Sequence, residues 1–292
     1  MFLNGKKGIS PYVTMISYLV LIGTIGVFRR MIPLSSAALA FFRGLIGSFS
    51  VALYALLSKK QMGSRPDSRT FIFLLISGSF IGINWILLFE AYNYTTISKA
   101  TLAYYLQPTI VLMLSPALFK EKLTRRKVLC AFLSLTGMFL ISGISHPGET
   151  TSSDMRGIIL GLCAACFYAG VVILNKLIIA ENPWYKTIIQ LSSAAVVLVP
   201  YLLFTNGFSM PGMNLRLLLF LCIIGTVYTG FAYVLYFSSI PRLKAQSTAL
   251  LSYIDPVTAV LISSVFLGEK LSPADLIGAL LIIGSALFSE YH

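Results

Sequence analysis

Long apolar runs alternate with short polar breaks along nearly the whole chain. Each run is about 20 residues long, the length that an α-helix needs to cross the hydrocarbon core of a bilayer. Charged residues, prolines and glycines mark the breaks, as at Lys59-Lys60, Lys120-Glu121-Lys122 and Asn182-Pro183. The pattern predicts ten membrane-spanning helices, at 11–30, 35–57, 70–92, 98–118, 126–145, 156–178, 185–205, 214–239, 245–267 and 273–290.

The composition excludes several other classes of protein. Of the 292 residues, 57% are hydrophobic and 11% are charged, and the mean hydropathy is +0.85. A soluble domain is about 45–50% apolar and about 25% charged. These values exclude a soluble globular enzyme, a disordered protein and a secreted scaffold held by disulfides. All four cysteines lie in predicted spans, and the Cys163-x-x-Cys166 pair sits in a small-residue run that we interpret as a helix-packing segment.

The basic residues are distributed unevenly between the two sides of the predicted membrane. Fifteen of the 22 Lys and Arg residues lie on the side of the N terminus, six lie on the opposite side, and Arg43 lies within a span. The positive-inside rule then places both termini in the cytoplasm and the protein in the cytoplasmic membrane. The first apolar run continues into Arg29-Arg30 without a small-residue cleavage site, so we interpret it as a retained helix. The net charge of +12 is spread over these breaks, so no nucleic-acid partner is expected.

A shift of 148 residues superimposes the second half of the chain on the first. Tyr105 and Pro108 fall on Tyr253 and Pro256, and Glu121-Lys-Leu falls on Glu269-Lys-Leu. The repeats are predicted at 1–147 and 148–292. Because each repeat holds five spans, an odd number, the second must enter the membrane from the opposite face. Inverted repeats are typical of transporters, in which the two halves rock and expose a central site to each side in turn.

The most specific segments of the chain are AYNYTTISKATLAYYLQP at 91–108, the Glu121-Lys-Leu motif, and their copies YIDP at 253–256 and LGEKL at 267–271. In these segments the sequence resembles the EamA-like family of the drug/metabolite transporter superfamily, and the similarity covers nearly the whole chain. Arg43, in LAFFRG, fits the second-helix pattern of the family. The resemblance implies an all-α carrier of ten transmembrane helices, arranged as two inverted five-helix repeats, that exports or exchanges amino acids or related metabolites.

Three charged residues are selected as candidates for a position within the membrane, namely Arg43, Glu90 and Asp255. A charge near the bilayer centre costs at least ~2.5–3.5 kcal/mol, so such residues are candidates for function. In one interpretation Arg43 binds a substrate carboxylate while an acid binds an amine or a proton. In the other, Arg43 and Glu90 form an internal ion pair or cap backbone groups. Both interpretations stay open for Arg43, and the structural one is preferred for Glu90.

Asp255 is the deepest of these charges, and its copy in the first repeat is Gln107. Each precedes a proline, whose missing N–H leaves a carbonyl one turn earlier without its helical donor. The carbonyls concerned are those of Tyr104 and Ser252. We therefore predict two matching helix kinks that bring polar groups together where the repeats meet. Asp255 is interpreted as a binding residue, and Gln107 as more important for packing.

Aromatic residues near these polar groups are predicted to form the walls of the pocket. Such walls suit an amphipathic or cationic solute, whereas most aromatic residues of membrane proteins face lipid or the interface. The complete predicted substrate-binding set is Arg43, Trp85, Glu90, Tyr104, Gln107, Tyr233, Tyr253 and Asp255.

Two further kinds of motif are assigned to structure. The glycine pairs at 78/82 and 157/161 predict close helix packing. The two Glu-Lys-Leu motifs close corresponding helices on opposite sides and are interpreted as gate contacts or as charged helix ends, of which the structural interpretation is preferred.

The sequence favours a secondary active transporter for a small polar metabolite, an amino acid or a related compound. The alternative is a proton-coupled efflux carrier for organic cations or drugs, with Asp255 or Glu90 as the exchangeable site. The chain contains no phosphate-binding loop and no HExxH or GxSxG motif, which argues against a pump or an intramembrane enzyme. A channel or scaffold fits inverted repeats less well. We expect a small-molecule substrate, a coupling proton in the alternative case, and membrane lipid as partners of a monomer or homodimer, without cofactor, metal or catalytic residues.

Overall fold

The computed structural model describes residues 10–25, 32–57, 66–141, 152–178, 182–205, 207, 214–267 and 272–290. Within these ranges the chain is helical, with turns and short connections and no β-strand. Three features of the sequence lie outside the described residues: Arg29-Arg30 at the end of the first predicted span, the predicted break at Lys59-Lys60, and the second Glu-Lys-Leu motif. The protein is an all-α integral membrane protein, as its apolar runs predict.

The helices of the first half follow the predicted spans closely. They are α1 (Pro11–Gly23), α2 (Ser36–Leu57), α3 (Ser68–Tyr94), α4 (Ile97–Tyr104), α5 (Gln107–Phe119) and α6 (Arg125–Ile141).

The second half repeats this order. Its helices are α7 (Ser152–Leu177), α8 (Pro183–Phe204), α9 (Leu215–Ile223), a π-helical segment (Ile224–Phe231), α10 (Ala232–Ser239), a 3₁₀ turn (Ile240–Arg242), α11 (Ala245–Leu251), α12 (Ile254–Leu267) and α13 (Pro273–Glu290).

Each of the ten predicted ranges contains a helix or a run of consecutive helices. Seven helical segments of the described chain are long and apolar enough to cross a membrane, whereas Pro11–Gly23 and Pro273–Ser289 are shorter apolar helices. The number of ten crossings therefore stays a prediction.

The predicted kinks in the fourth and ninth spans are complete helix breaks. The chain leaves the helix after Tyr104 and again after Leu251, and a new helix begins within three residues. Pro108 and Pro256 lie in the first turn of the new helices, where a missing N–H costs no helical hydrogen bond. The prediction that the Ser252 carbonyl is left without a donor is wrong, because the backbone N–H of Asp255 donates to it at 3.4 Å.

The packing of helices is reciprocal between the two halves. Helix α3 packs on α7 and α8, and the corresponding elements of the second half, α10 and the π-helical segment, pack on α1 and α2. The close contacts of the glycines show the same reciprocity. A Cβ at Gly82 would lie 2.8 Å from the carbonyl oxygen of Ala194, and one at Gly230, its copy, would lie 2.9 Å from that of Gly47. Helices α6 and α13, the last of each half, pack on one another.

The predicted glycine packing motifs are confirmed. A Cβ at Gly78 would lie 2.4 Å from the carbonyl oxygen of Gln190, and one at Gly161 would lie 2.8 Å from that of Ala100. Backbone atoms occupy the place of a side chain in both cases, so α3 can approach α8, and α7 can approach α4, only at glycine. Cys163 and Cys166 are free and exposed, so the packing of this part of α7 depends on its small residues and not on the cysteines.

A closed polar network fastens α3, α7 and α8 beside these contacts. Ser77, Asn175 and Gln190 are fully buried. The Ser77 hydroxyl donates to Gln190 Oε1 at 2.6 Å, and the Asn175 and Gln190 side-chain amides donate to one another at 2.9 and 3.0 Å. Polar groups that satisfy each other in this way can be buried in an apolar environment at little cost, so the network fixes the register of three helices.

Candidate functional site

A cavity of about 500 Å³ lies where α1, α2, α3, α4 and α12 meet. Its wall is formed by the C-terminal ends of α1 and α3, the N-terminal half of α2, the whole length of α4, and the first turns of α12. It therefore lies toward the end of the molecule opposite the start of α1. The polar side chains on its wall are those of Ser36, Arg43, Tyr92, Thr101, Tyr104, Tyr105 and Asp255.

Asp255 comes from the second half of the chain and reaches this cavity from the first turn of α12. Its carboxylate accepts a hydrogen bond from the Tyr105 hydroxyl at 2.9 Å. The copy of Tyr105 in the second repeat, Tyr253, shares a hydrogen bond of 2.9 Å with Thr109 of α5. Each repeat thus extends one tyrosine hydroxyl into the broken helix of the other, and this exchange places Asp255 at the contact between the repeats.

Arg43 lies on the cavity wall and against the face of Trp85. The guanidinium carbon is 4.3 Å from the centroid of the indole ring, a cation–π arrangement. Trp85 itself is only 6% exposed and supports Arg43 from behind. Arg43 Nε is buried and has no hydrogen-bond partner within the described residues. An arginine held in this way keeps hydrogen-bond donors available for an anionic group of a ligand.

Glu90 does not belong to the cavity wall. Its carboxylate accepts hydrogen bonds from the Tyr201 hydroxyl at 2.5 Å and from the Asn93 amide at 3.2 Å. No ion pair with Arg43 is present in the described structure, so that suggested pairing is wrong. The preference for a structural role fits these contacts, although the partner is a tyrosine of α8 and not an arginine.

Gln107 is buried at the start of α5 and is 4% exposed. Its Nε2 finds no hydrogen-bond partner among the described residues. A buried amide of this kind is costly without water or a ligand. Gln107 does not line the described cavity, so the structure does not bring it together with Asp255, Arg43 and Tyr104 there.

The three predicted tyrosines lie in different places. Tyr104 lies on the cavity wall. Tyr233 is buried behind it in a cluster in which Tyr18 stacks on Tyr236 at 4.5 Å between ring centroids, and Tyr168 is 3.4 Å from Tyr18 between hydroxyl oxygens. Tyr253 is fully buried in the contact between the repeats.

Sequence reasoning missed several residues of this region. It did not select Tyr105 and Thr101 on the wall or Tyr18 and Tyr168 behind it. The match of Tyr105 with the selected Tyr253 in the internal repeat was a usable signal for the first of these. Within the described residues, no three His, Cys, Asp or Glu side chains come close enough to hold a metal ion.

A family model described as the EamA-like transporter family matches the chain twice, at residues 9–143 and 155–291. The uncharacterized transporter YxxF of Bacillus subtilis is 28% identical over 286 residues, which cover 98% of this chain and 91% of that one. The riboflavin transporter ImpX of Fusobacterium nucleatum is 26% identical over 67% of both chains. A probable amino-acid metabolite efflux pump of Salmonella typhimurium is 27% identical over 66% of this chain and 67% of that one.

A solved crystal structure has the same fold. It superimposes with a TM-score of 0.82 at 18% sequence identity and covers 96% of each chain. At this identity the likeness concerns the course of the helices and not the ligand.

Proposed function

Because the chain belongs to the EamA-like transporter family and is a membrane transporter, we propose that it is a secondary carrier for a small polar metabolite, an amino acid or a related compound. The proposed carrier exports or exchanges its substrate by alternating access. One observation carries the proposal, namely that Arg43 and Asp255, from different halves of the chain, line the same cavity.

The chemistry of the wall fits a zwitterion. The guanidinium of Arg43 can bind a carboxylate, and the carboxylate of Asp255 can bind an ammonium group. Tyr104, Tyr105 and Tyr92 add hydroxyls and ring faces for the remainder of the substrate. A volume of about 500 Å³ lies in the range of pockets for small molecules and leaves room for an amino acid with several waters.

The two halves supply the means of alternating access. We propose that residues 1–147 and 148–292 act as inverted repeats that rock against one another around this cavity, an arrangement supported by their reciprocal packing. With both termini in the cytoplasm, the cavity would open toward the outside of the cytoplasmic membrane. The carrier would work as a monomer or a homodimer.

Proton-coupled efflux of organic cations is the second candidate. Asp255 and the tyrosines of the wall would suit a cationic solute. Arg43 in the same cavity opposes this function, because a fixed positive charge repels such a solute. The named relatives include a riboflavin transporter as well as an amino-acid metabolite pump, so kinship alone does not select the substrate.

Counterflow in vesicles tests the proposed function. The purified protein is reconstituted in vesicles, loaded in turn with each unlabelled amino acid, and presented with a trace of the labelled one outside. A carrier gives transient accumulation of label that saturates with concentration, and we expect it for at least one amino acid. Absence of counterflow for every amino acid, together with saturable uptake of a labelled organic cation, would transfer the assignment to the second candidate.

Variants connect the transport to the cavity. Asp255→Asn and Arg43→Gln are each expected to lower transport at least about tenfold, the effect of losing one charge-assisted hydrogen bond. Glu90→Gln is the matched control, since Glu90 also lies within a span but bonds to Tyr201 outside the cavity. Equal loss of transport in all three variants would contradict a specific role for the cavity.

A further inference from the structure

The two copies of one repeated element differ sharply in burial. Helix α11 is the copy of α4 at the offset of 148 residues. Every residue of α11 is buried, and Ala245 at its start is only 1% exposed. Ile97, the residue of α4 that corresponds to Ala245, is 67% exposed. The molecule is thus closed at the end where α11 begins, which is also the end where α1 begins, and its cavity lies toward the other end.

Glu121 of the first half binds the N terminus of α11, the buried copy. Its carboxylate accepts hydrogen bonds from the backbone N–H groups of Ala245 at 2.8 Å and Gln246 at 3.2 Å. The Gln246 side chain in turn donates to the Ser115 hydroxyl at 2.8 Å. The first N–H groups of a helix carry a partial positive charge, and a carboxylate there makes charge-assisted hydrogen bonds.

Helix α11 has no side-chain cap from its own half, and the carboxylate of Glu121 in the other half takes that place at its N terminus. Its N-cap residue is Lys244, whose side chain makes no capping hydrogen bond. Lys176 of α7 holds the carbonyl of Leu243, just before α11, but both of these residues belong to the second half. The bonds of Glu121 therefore differ from that of Lys176, because they join the two halves and must break if the halves separate at this end.

Helix α4, the less buried copy, makes different contacts with the other half. Lys99 of α4 forms an ion pair of 3.2 Å with Asp154 at the start of α7, and Asp154 also accepts a hydrogen bond from Thr95 at 2.5 Å. These contacts hold α4 against the second half beside the cavity. The two copies thus occupy different positions relative to the opposite repeat, as two ends of a carrier must when only one of them is open.

We propose that Glu121 is a positioning residue that fastens α11 to the first half and thereby holds the carrier in the state whose cavity opens away from α11. Release of this carboxylate from the N–H groups of Ala245 and Gln246 accompanies the transition that opens the α11 end. The inference rests on the proposed alternating access, and it assigns to the Glu121-Lys-Leu motif a role in the transition between states.

Distance measurements by pulsed electron paramagnetic resonance test this role without a substrate. Spin labels are placed at Arg125→Cys and Arg242→Cys, both exposed at the closed end and in opposite halves, after the four native cysteines are replaced. Glu121→Ala removes both acceptors, and Glu121→Gln keeps one neutral acceptor oxygen. Asp275→Asn is the matched control, because the Asp275 carboxylate accepts its hydrogen bond from the backbone N–H of Ser272, a residue of its own half.

We expect the reconstituted parent to give a short distance and Glu121→Ala to add a longer one. The ratio of long to short populations should rise about tenfold or more in Glu121→Ala and by a smaller factor in Glu121→Gln, while Asp275→Asn leaves it unchanged. Unchanged distances in both Glu121 variants would overturn the proposal, and so would an equal change in the control.

A second variant and a folding check keep the role of Glu121 testable. Glu121→Gln covers the case in which Glu121→Ala does not fold, and size-exclusion chromatography establishes that each labelled variant is folded. Failure of the proposed function appears separately, as absent counterflow in the parent protein. Normal counterflow with unchanged distances in the Glu121 variants would reject the role of Glu121 alone.

Discussion

Two oppositely charged residues share one cavity inside an apolar protein, and each is held differently. Asp255 accepts a hydrogen bond from Tyr105, whereas Arg43 rests on the face of Trp85. Both arrangements leave part of the charged group's hydrogen-bonding capacity unused by the protein. A charge kept in this state inside a membrane protein is expensive, and a polar ligand offsets that cost when it binds.

The hydrogen bond between Tyr105 and Asp255 gives a test at this scale. Tyr105→Phe removes it and leaves the carboxylate less well oriented, so we expect the KM for the transported amino acid to change several-fold. Tyr253→Phe is the control matched by the repeat, since it removes the bond to Thr109 outside the cavity wall. Concentration-dependent counterflow measures both. A larger change of KM in Tyr253→Phe than in Tyr105→Phe would contradict the placement of the site.

At the scale of helices, glycine determines how closely the elements approach. Gly78 and Gly82 of α3 face the backbone of α8, and Gly157 and Gly161 of α7 face residues at the end of α3 and in α4. The helices of a membrane protein gain stability from such close packing because lipid is as apolar as their side chains.

Gly78→Ala should destabilise the protein. The new Cβ would lie 2.4 Å from the carbonyl oxygen of Gln190 and 2.7 Å from its Cα, so backbone must move. We expect a loss of about 1–3 kcal/mol, seen as a thermal midpoint lower by roughly 3 °C or more in detergent.

Gly284→Ala provides the comparison, because nothing lies within 4 Å of a Cβ at that position. Its thermal midpoint should stay level or rise slightly, since alanine reduces the freedom of the unfolded chain. An equal fall in the two variants would show that the loss of stability at Gly78 does not come from contact with α8.

The broken helices show how far the sequence alone could lead. Pro108 and Pro256 predicted interruptions at matching places, and the structure has them. Arg43, Tyr104 and Asp255 could be selected because charges and hydroxyls stand out in apolar runs, and the structure places all three on the cavity wall. The partner of Glu90 could not be predicted, because Tyr201 lies 111 residues away and nothing in its local sequence distinguishes it from other interfacial tyrosines.

At the scale of the whole molecule, the difference between the two ends is a property of the conformation. The sequences of α4 and α11 are copies of one repeat, yet α4 is exposed at its first residue and only partly buried beyond it, whereas α11 is fully buried and bound by Glu121. In the proposed alternating access each sequence would serve both positions during a transport cycle, so the sequence predicts the repeat and not which end is closed. The position of the cavity near one end is likewise a property of this conformation.

The central claim is that Arg43 binds the carboxylate and Asp255 the ammonium group of one substrate. The most direct measurement is competition of counterflow by the transported amino acid, its methyl ester and its des-amino acid. The parent should prefer the amino acid to both analogues by about tenfold or more. Arg43→Gln should lose only the preference over the ester, and Asp255→Asn only the preference over the des-amino acid. The same loss for both analogues in both variants, or no loss in either, would contradict the claim.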